Sequence, residues 1–84
     1  MAEQFEFELV FALPKGEHDP IELSNVVFEA GFDGALVGTG ITGLLAVEFG
    51  TEADNAADAV LEAARALLKH LPSGTQLRET ARIS

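Results

Sequence analysis

Cysteine, tryptophan and tyrosine are all absent from this 84-residue chain. Without cysteine it can form no disulfide framework, no thiolate nucleophile and no cysteine-ligated metal site, which suits a cytoplasmic location. The missing tryptophan and tyrosine make its near-ultraviolet absorbance weak. Basic residues are scarce as well, because five Lys and Arg stand against 14 Asp and Glu and give a net charge of −9. Since such a chain repels polyanions, we expect it to bind no nucleic acid directly.

Long apolar segments are absent too. No stretch approaches the roughly 20 apolar residues that a membrane-spanning helix needs, so we expect no membrane insertion. Met1 is followed by Ala-Glu-Gln rather than by a basic and then an apolar segment, which predicts a cytoplasmic protein without a signal peptide. What the chain does have is an apolar fraction of 48%, enough for the core of one domain spanning residues 1–84.

Five patterned segments follow one another along the chain. They are an alternating strand, a capped helix, a glycine-containing hairpin, an alanine-rich helix and a last alternating strand. Their predicted ranges are Phe5–Leu13, Asp19–Gly31, Ala35–Phe49, Asp54–Leu71 and Gln76–Ile83. This β-α-β-β-α-β order predicts a ferredoxin-like α+β sandwich. Two right-handed crossovers then give a four-stranded antiparallel sheet in the order 4-1-3-2, with both helices on one face.

Local signals indicate where the helices begin and end. Asp19 can accept hydrogen bonds from the free amides at the start of the first helix. Gly31 predicts a left-handed stop to that helix, and Asp33–Gly34 then form a turn. The second helix has two candidate caps, Thr51 and Asp54, which the residue pattern does not separate.

The two faces of the last strand differ in polarity. Leu77, Ala81 and Ile83 alternate with Arg78, Thr80 and Arg82. Because strand 4 lies beside strand 1 in the predicted order, we expect both arginines to share one sheet surface with Glu6 and Glu8. This surface is the open face, which is turned away from the helices. We expect cross-strand ion pairs between the arginines and the glutamates, each worth a few tenths of a kcal/mol.

The sheet surface turned away from the helices is the strongest candidate site. We expect an apolar centre with a charged border there, which is the anatomy of a protein interface. The centre comprises Val10, Ala12, Leu44 and Ala46, and the border comprises Glu6, Glu8, Glu48, Arg78 and Arg82. We interpret this surface as the interface of a homodimer or of a complex with another protein. Pairing through an edge strand is the competing geometry.

Residues able to catalyse a reaction or hold a ligand are few. Glu17-His18-Asp19 has acid–base capacity, but we interpret it as a polar loop in which Asp19 caps the helix. Gly38–Gly43 joins two strands, so it lacks the following helix whose amino end would hold a phosphate. The outward residues of strands 1 and 3 are glutamates and small aliphatics, unlike the aromatic and basic residues of an RNA-binding sheet. We therefore predict no enzymatic activity and no catalytic, cofactor-binding or metal-binding residue.

Three segments resemble a family of small bacterial proteins of poorly known role. They are Phe5–Phe11, Phe28–Asp33, and Gly38-Thr39-Gly40 together with Gly43–Phe49. In many members a domain of this kind precedes a helix-turn-helix segment, and these are described as DNA-binding or regulatory proteins. The chain ends at Ser84, about where that segment would begin, so no DNA-reading residue is carried over. The resemblance implies either an excised amino-terminal domain or a short member, with a role in association or regulation.

Two functions are compatible with these features. The first is a non-enzymatic interaction or dimerisation module, from a transcriptional regulator or an antitoxin-like system. The second is a small-molecule sensor similar to ACT domains, which share this element order and often bind ligands between paired subunits. In that case the loop Lys15–Asp19 would line the ligand site. A shared fold does not choose between them, because function depends on the residues of the site.

Overall fold

The computed structural model describes residues 3–32 and 34–83, so Asp33 of the predicted turn lies outside the described residues. Six elements follow one another in the predicted order. They are β1 (Glu3–Ala12), α1 (Pro20–Glu29), β2 (Leu36–Gly38), β3 (Leu44–Ala53), α2 (Ala56–His70) and β4 (Gln76–Arg82). The α+β class is therefore confirmed for the described part of the chain.

The strands form one sheet in the order β2-β3-β1-β4, and every neighbouring pair is antiparallel. This is the predicted order 4-1-3-2 read from the opposite edge, so that prediction is confirmed. The central pair, β1 and β3, is in register along its full length, from Glu3 opposite Ala53 to Ala12 opposite Leu44. These two long strands provide most of the surface on which the core is built.

Apolar side chains from one side of the sheet and from both helices form a single core. The buried residues are Phe5, Phe7, Leu9, Phe11, Leu45, Val47 and Phe49 of the sheet, Leu23 and Val27 of α1, Ala59, Ala63, Ala64 and Leu67 of α2, and Leu71. Period-two alternation in the strands and a helical stripe in α1 and α2 turn these residues toward each other. The predicted inward faces of strands 1 and 3 are confirmed, and both helices pack against that one side.

The first helix begins and ends as its residues predict. The Asp19 carboxylate accepts a hydrogen bond from the backbone N–H of Ile21 at 2.9 Å. Gly31 has a φ of 102°, a left-handed conformation that side chains other than glycine adopt at a cost. Phe32 then packs back, with its ring edge-on to Phe49 at a centroid distance of 5.1 Å.

Neither predicted cap of the second helix is correct. The cap of α2 is Asn55, whose Oδ1 accepts a hydrogen bond from the backbone N–H of Asp58 at 2.8 Å. The reason lies in β3, which extends to Ala53 instead of ending at Phe49. Thr51 lies opposite Phe5 of β1, and this pairing keeps it in the sheet. The helix can therefore begin only after the strand has ended.

A β-bulge in β4 changes which of its side chains face the helices. Leu77 lies opposite Phe11 and Glu79 lies opposite Val10, so Arg78 between them has no partner of its own on β1. One extra residue in a strand shifts the alternation, and each later side chain then changes face. Leu77 stays on the core side, whereas Glu79 is on the same face as Val10.

The predicted position of Arg82 on the open face is therefore wrong. Arg82 lies opposite Phe7, a core residue, and its guanidinium carbon is 4.8 Å from the centroid of the Phe5 ring. In place of the expected ion pair with Glu6 or Glu8, this arginine makes a cation–π contact on the helix side of the sheet. Such a contact is worth about 0.5–1 kcal/mol at an exposed position.

Candidate docking face

The sheet surface opposite the core is the open face. Residues on it come from all four strands, because cross-strand partners share a face. They are Glu6, Glu8, Val10 and Ala12 of β1, Leu44, Ala46 and Glu48 of β3, Leu36 and Gly38 of β2, and Gln76, Glu79 and Ala81 of β4. Ile83 continues this row, since its backbone N–H donates to the Glu6 carbonyl at 2.7 Å. Both helices lie on the other side, so neither covers this face.

One half of the open face is apolar. Val10 lies opposite Ala46, and Ala12 lies opposite Leu44. These four side chains are half-buried by their neighbours, while Ile41 in the turn before β3 is 67% exposed. A groove of about 410 Å³ is lined by Val10, Ile41, Leu44 and Ala46 together with the carboxylate residues Glu8 and Glu79. Of the predicted apolar centre, Val10, Leu44 and Ala46 thus line one concave surface, and Ala12 lies outside its lining.

Gly38 lines this groove without contributing a side chain to it. Gly38 lies opposite Ala46 on the neighbouring strand. A Cβ added at Gly38 would lie 3.6 Å from the Ala46 Cβ, which is ordinary van der Waals contact. Gly38 is not among the glycines with positive φ, so the backbone accepts a side chain there. The groove can therefore be partly filled by a substitution at this position without strain.

The other half of the open face carries facing carboxylates, flanked by the apolar side chains of Leu36, Ala81 and Ile83. Glu8 and Glu48 lie directly opposite each other on the two central strands, and both are half-buried. Glu79 lies opposite Val10 on the other flank of β1, and Glu6 follows along the same row as Glu8. Like charges at directly opposite positions of an antiparallel pair destabilise it. This face therefore holds negative charge at the expense of the stability of the sheet.

Little positive charge balances these carboxylates. Arg82 lies on the helix side of the sheet. Among the described strand residues, Arg78 at the bulge is therefore the one basic residue on the open face. Glu79 was missing from the predicted border because strict alternation put it in the row of Leu77 and Ala81. A charged residue in an otherwise apolar row was the signal that could have indicated the bulge.

Replacing Glu8 with lysine should stabilise the domain by about 0.2–1 kcal/mol. The change converts the facing Glu8–Glu48 pair from like to opposite charges. Urea denaturation followed by circular dichroism measures the difference. Glu62→Lys on the exposed surface of α2 is the matched control, since it alters the net charge by the same amount. Equal stability changes in both variants would mean that the facing carboxylates do not repel each other measurably.

A second concave region lies beside the loop after β1. Its volume is about 390 Å³, and Glu17, His18, Thr39 and Thr42 are among the residues that line it. The Nε2 atom of His18 is 2.8 Å from the Pro14 carbonyl oxygen. Because a carbonyl only accepts, Nε2 donates, which leaves Nδ1 of the neutral ring as an acceptor. Asp19 is not part of this lining, since its carboxylate caps α1 as predicted.

The glycine-rich segment forms the connection between two strands. Gly38–Gly43 leads from β2 to β3, and Gly43 has a φ of 81°, as a tight turn requires. Within residues 3–32 and 34–83, no group of three or more His, Cys, Asp or Glu side chains is arranged to hold a metal ion.

Comparisons with known proteins add no assignment. The chain matches no protein-family model, no curated protein and no solved structure. Neither of the two described helices combines the length and the apolar composition needed to cross a membrane. The open face and the cleft beside His18 are the two candidate functional regions of the described residues.

Proposed function

We propose that this chain is a non-enzymatic, cytoplasmic protein-interaction module of ferredoxin-like fold that docks a partner on its open face. The observation that carries the proposal is a groove with an apolar floor beside facing, half-buried carboxylates, on a sheet surface that neither helix covers. An apolar centre with a polar border is how protein interfaces are built. The resemblance to bacterial amino-terminal domains supports a regulatory role, in a DNA-binding or antitoxin-like protein.

Two occupants of the open face fit this function. One is a second copy of the chain, which would make the module a homodimer, and the other is a different protein. Light scattering at high micromolar concentration separates them. A dimer that Gly38→Val weakens would identify the second copy, and a monomer would exclude it as the occupant.

The docking function itself is tested by comparing two valine variants. Gly38→Val fills part of the groove, and Leu61→Val trims an exposed side chain of α2, on the other side of the sheet. Proteins retained from an extract of the native cells by the wild-type chain should be lost with Gly38→Val and kept with Leu61→Val. If retention or self-association responds equally to both changes, the open face is not the docking surface.

A second candidate function is small-molecule sensing similar to that of ACT domains. The cleft beside His18 favours it, because Gly16, Glu17 and His18 of the expected loop Lys15–Asp19 line that cleft. A ligand at a hundred times its Kd should stabilise the native state by about 2.7 kcal/mol. A thermal-shift screen against amino acids and nucleotides measures this effect. Absence of any stabilisation, or stabilisation that Glu17→Ala and Thr42→Ala leave intact, would argue against this site.

A further inference from the structure

We infer that the open face binds a cationic segment of a different protein, with a lysine or arginine side chain lying in the groove. The inference rests on the proposed docking function and specifies the chemistry of the occupant. The groove has an aliphatic floor formed by Val10, Leu44 and Ala46, with Glu8 and Glu79 among its lining residues. A lysine or arginine side chain complements this groove, because its apolar stem can lie on the aliphatic floor while its charged head reaches the carboxylates.

The register of the sheet places three carboxylates close to one another beside this floor. Glu48 and Glu8 are direct partners, which puts their Cβ atoms about 4.5–5.5 Å apart. Glu79 is the diagonal neighbour of Glu8, since its own partner is Val10 and that of Glu8 is Ala81, and such neighbours are about 7–8 Å apart. A cationic head group at the end of the groove can therefore interact with more than one carboxylate.

The same charges disfavour a second copy of the chain on this face. The described strands place Glu6, Glu8, Glu48 and Glu79 on the open face, with Arg78 as the one basic residue at its edge. Two such faces in contact would bring eight carboxylates together against two arginines. Juxtaposed like charges suppress association, whereas a basic partner would relieve the repulsion between Glu8 and Glu48. The charge pattern thus selects a cationic partner of different sequence.

The test uses two short peptides with the same alternating leucine and lysine sequence between glycine-serine ends. One has free lysines, and in the other each lysine is acetylated, which keeps the stem and removes the charge. Binding is followed by ¹H–¹⁵N NMR, which reports both the affinity and the location of the contact. We expect saturable binding of the free-lysine peptide with shifts on the open face. Its affinity should fall as salt rises from about 50 to 500 mM.

Two triple variants separate local from general electrostatics. The first triple neutralises the three carboxylates beside the groove and consists of Glu8→Gln, Glu48→Gln and Glu79→Gln. The second triple neutralises three exposed helix residues and consists of Glu22→Gln, Glu29→Gln and Glu62→Gln. Both triples change the net charge equally, from −9 to −6. We expect the first to weaken binding of the free-lysine peptide at least about tenfold and the second to change it less than about threefold.

The other outcomes contradict the cationic occupant, the role of charge or the docking surface. Equal weakening by the two triples, or no saturable binding of the free-lysine peptide, overturns the cationic occupant and leaves the docking function to its own valine test. Equal binding of the acetylated peptide on the open face supports docking but overturns the role of charge. Shifts confined to the helix side would contradict both the inference and the proposed docking surface.

Discussion

Replacing Phe11 with alanine should lower the free energy of unfolding by about 3–5 kcal/mol. Phe11 is fully buried in β1, a central strand, and lies opposite Leu45 of β3 and Leu77 of β4. Neighbours on both flanks are held by the sheet, so the cavity left by the ring cannot collapse fully. Because small domains are stable by only about 5–15 kcal/mol, this loss is a large part of the total. Urea denaturation followed by circular dichroism measures it.

The control is the adjacent residue of the same strand. Val10 is on the open face and half-buried, so Val10→Ala should cost only about 1 kcal/mol. The two substitutions are at adjacent positions of β1, but the side chains that they shorten lie on opposite faces of the sheet. Equal losses would mean that β1 packs against similar surroundings on both faces, which contradicts a core built on one side alone.

Replacing Val27 with aspartate should abolish cooperative folding. Val27 is fully buried, and the core of the described residues contains no buried polar or charged side chain that could partner a carboxylate. An unpaired charge in such surroundings costs more than about 4 kcal/mol, close to the whole stability of a domain this small. The effect is large also because Val27 and Leu23 are the two buried residues that attach α1. Amide NMR dispersion and circular dichroism report the loss.

A matched substitution on the same helix should have a small effect. Ile21 is 71% exposed in the first turn of α1, where a negative charge interacts favourably with the helix dipole. Ile21→Asp should therefore change the free energy of unfolding by less than about 1 kcal/mol. Unfolding of Ile21→Asp, or a folded Val27→Asp with native spectra, would contradict the packing of α1 described above.

Stability and docking should respond in opposite directions on the open face. The Glu8–Glu48 pair disfavours the folded sheet, and the same two carboxylates attract a cationic partner. Glu8→Lys is thus expected to raise the stability and to weaken binding of the free-lysine peptide. Such a trade-off is common where a functional surface keeps residues that do not favour folding.

Several features could be predicted because their causes are local. The alternation of Phe5, Phe7, Leu9 and Phe11 specifies the inward face of β1 whatever else is present. The Asp19 cap and the Gly31 stop depend on hydrogen bonds and backbone conformation within a few residues. The strand order followed from handed crossovers between these elements.

Other features depend on contacts between distant residues and could not be read from local patterns. The end of β3 and the Asn55 cap follow from how far β1 extends to pair with it. Within the candidate site, Val10, Ala12, Leu44 and Ala46 were placed correctly because two regular strands carry them. Arg82 was misplaced and Glu79 was missed because both follow an irregularity in β4.

The element order, the strand order, the inward-facing residues of the central strands and the acidic character of the chain all follow from the residue pattern alone. The distribution of that charge over the sheet depends instead on how the strands pair in the folded protein. Pairing with β1 introduces one extra residue at Arg78, which turns Arg82 toward Phe5 and Glu79 toward Val10. Since side chains in a strand alternate with a period of two, a single added residue converts an expected mixed-charge border into a predominantly acidic one.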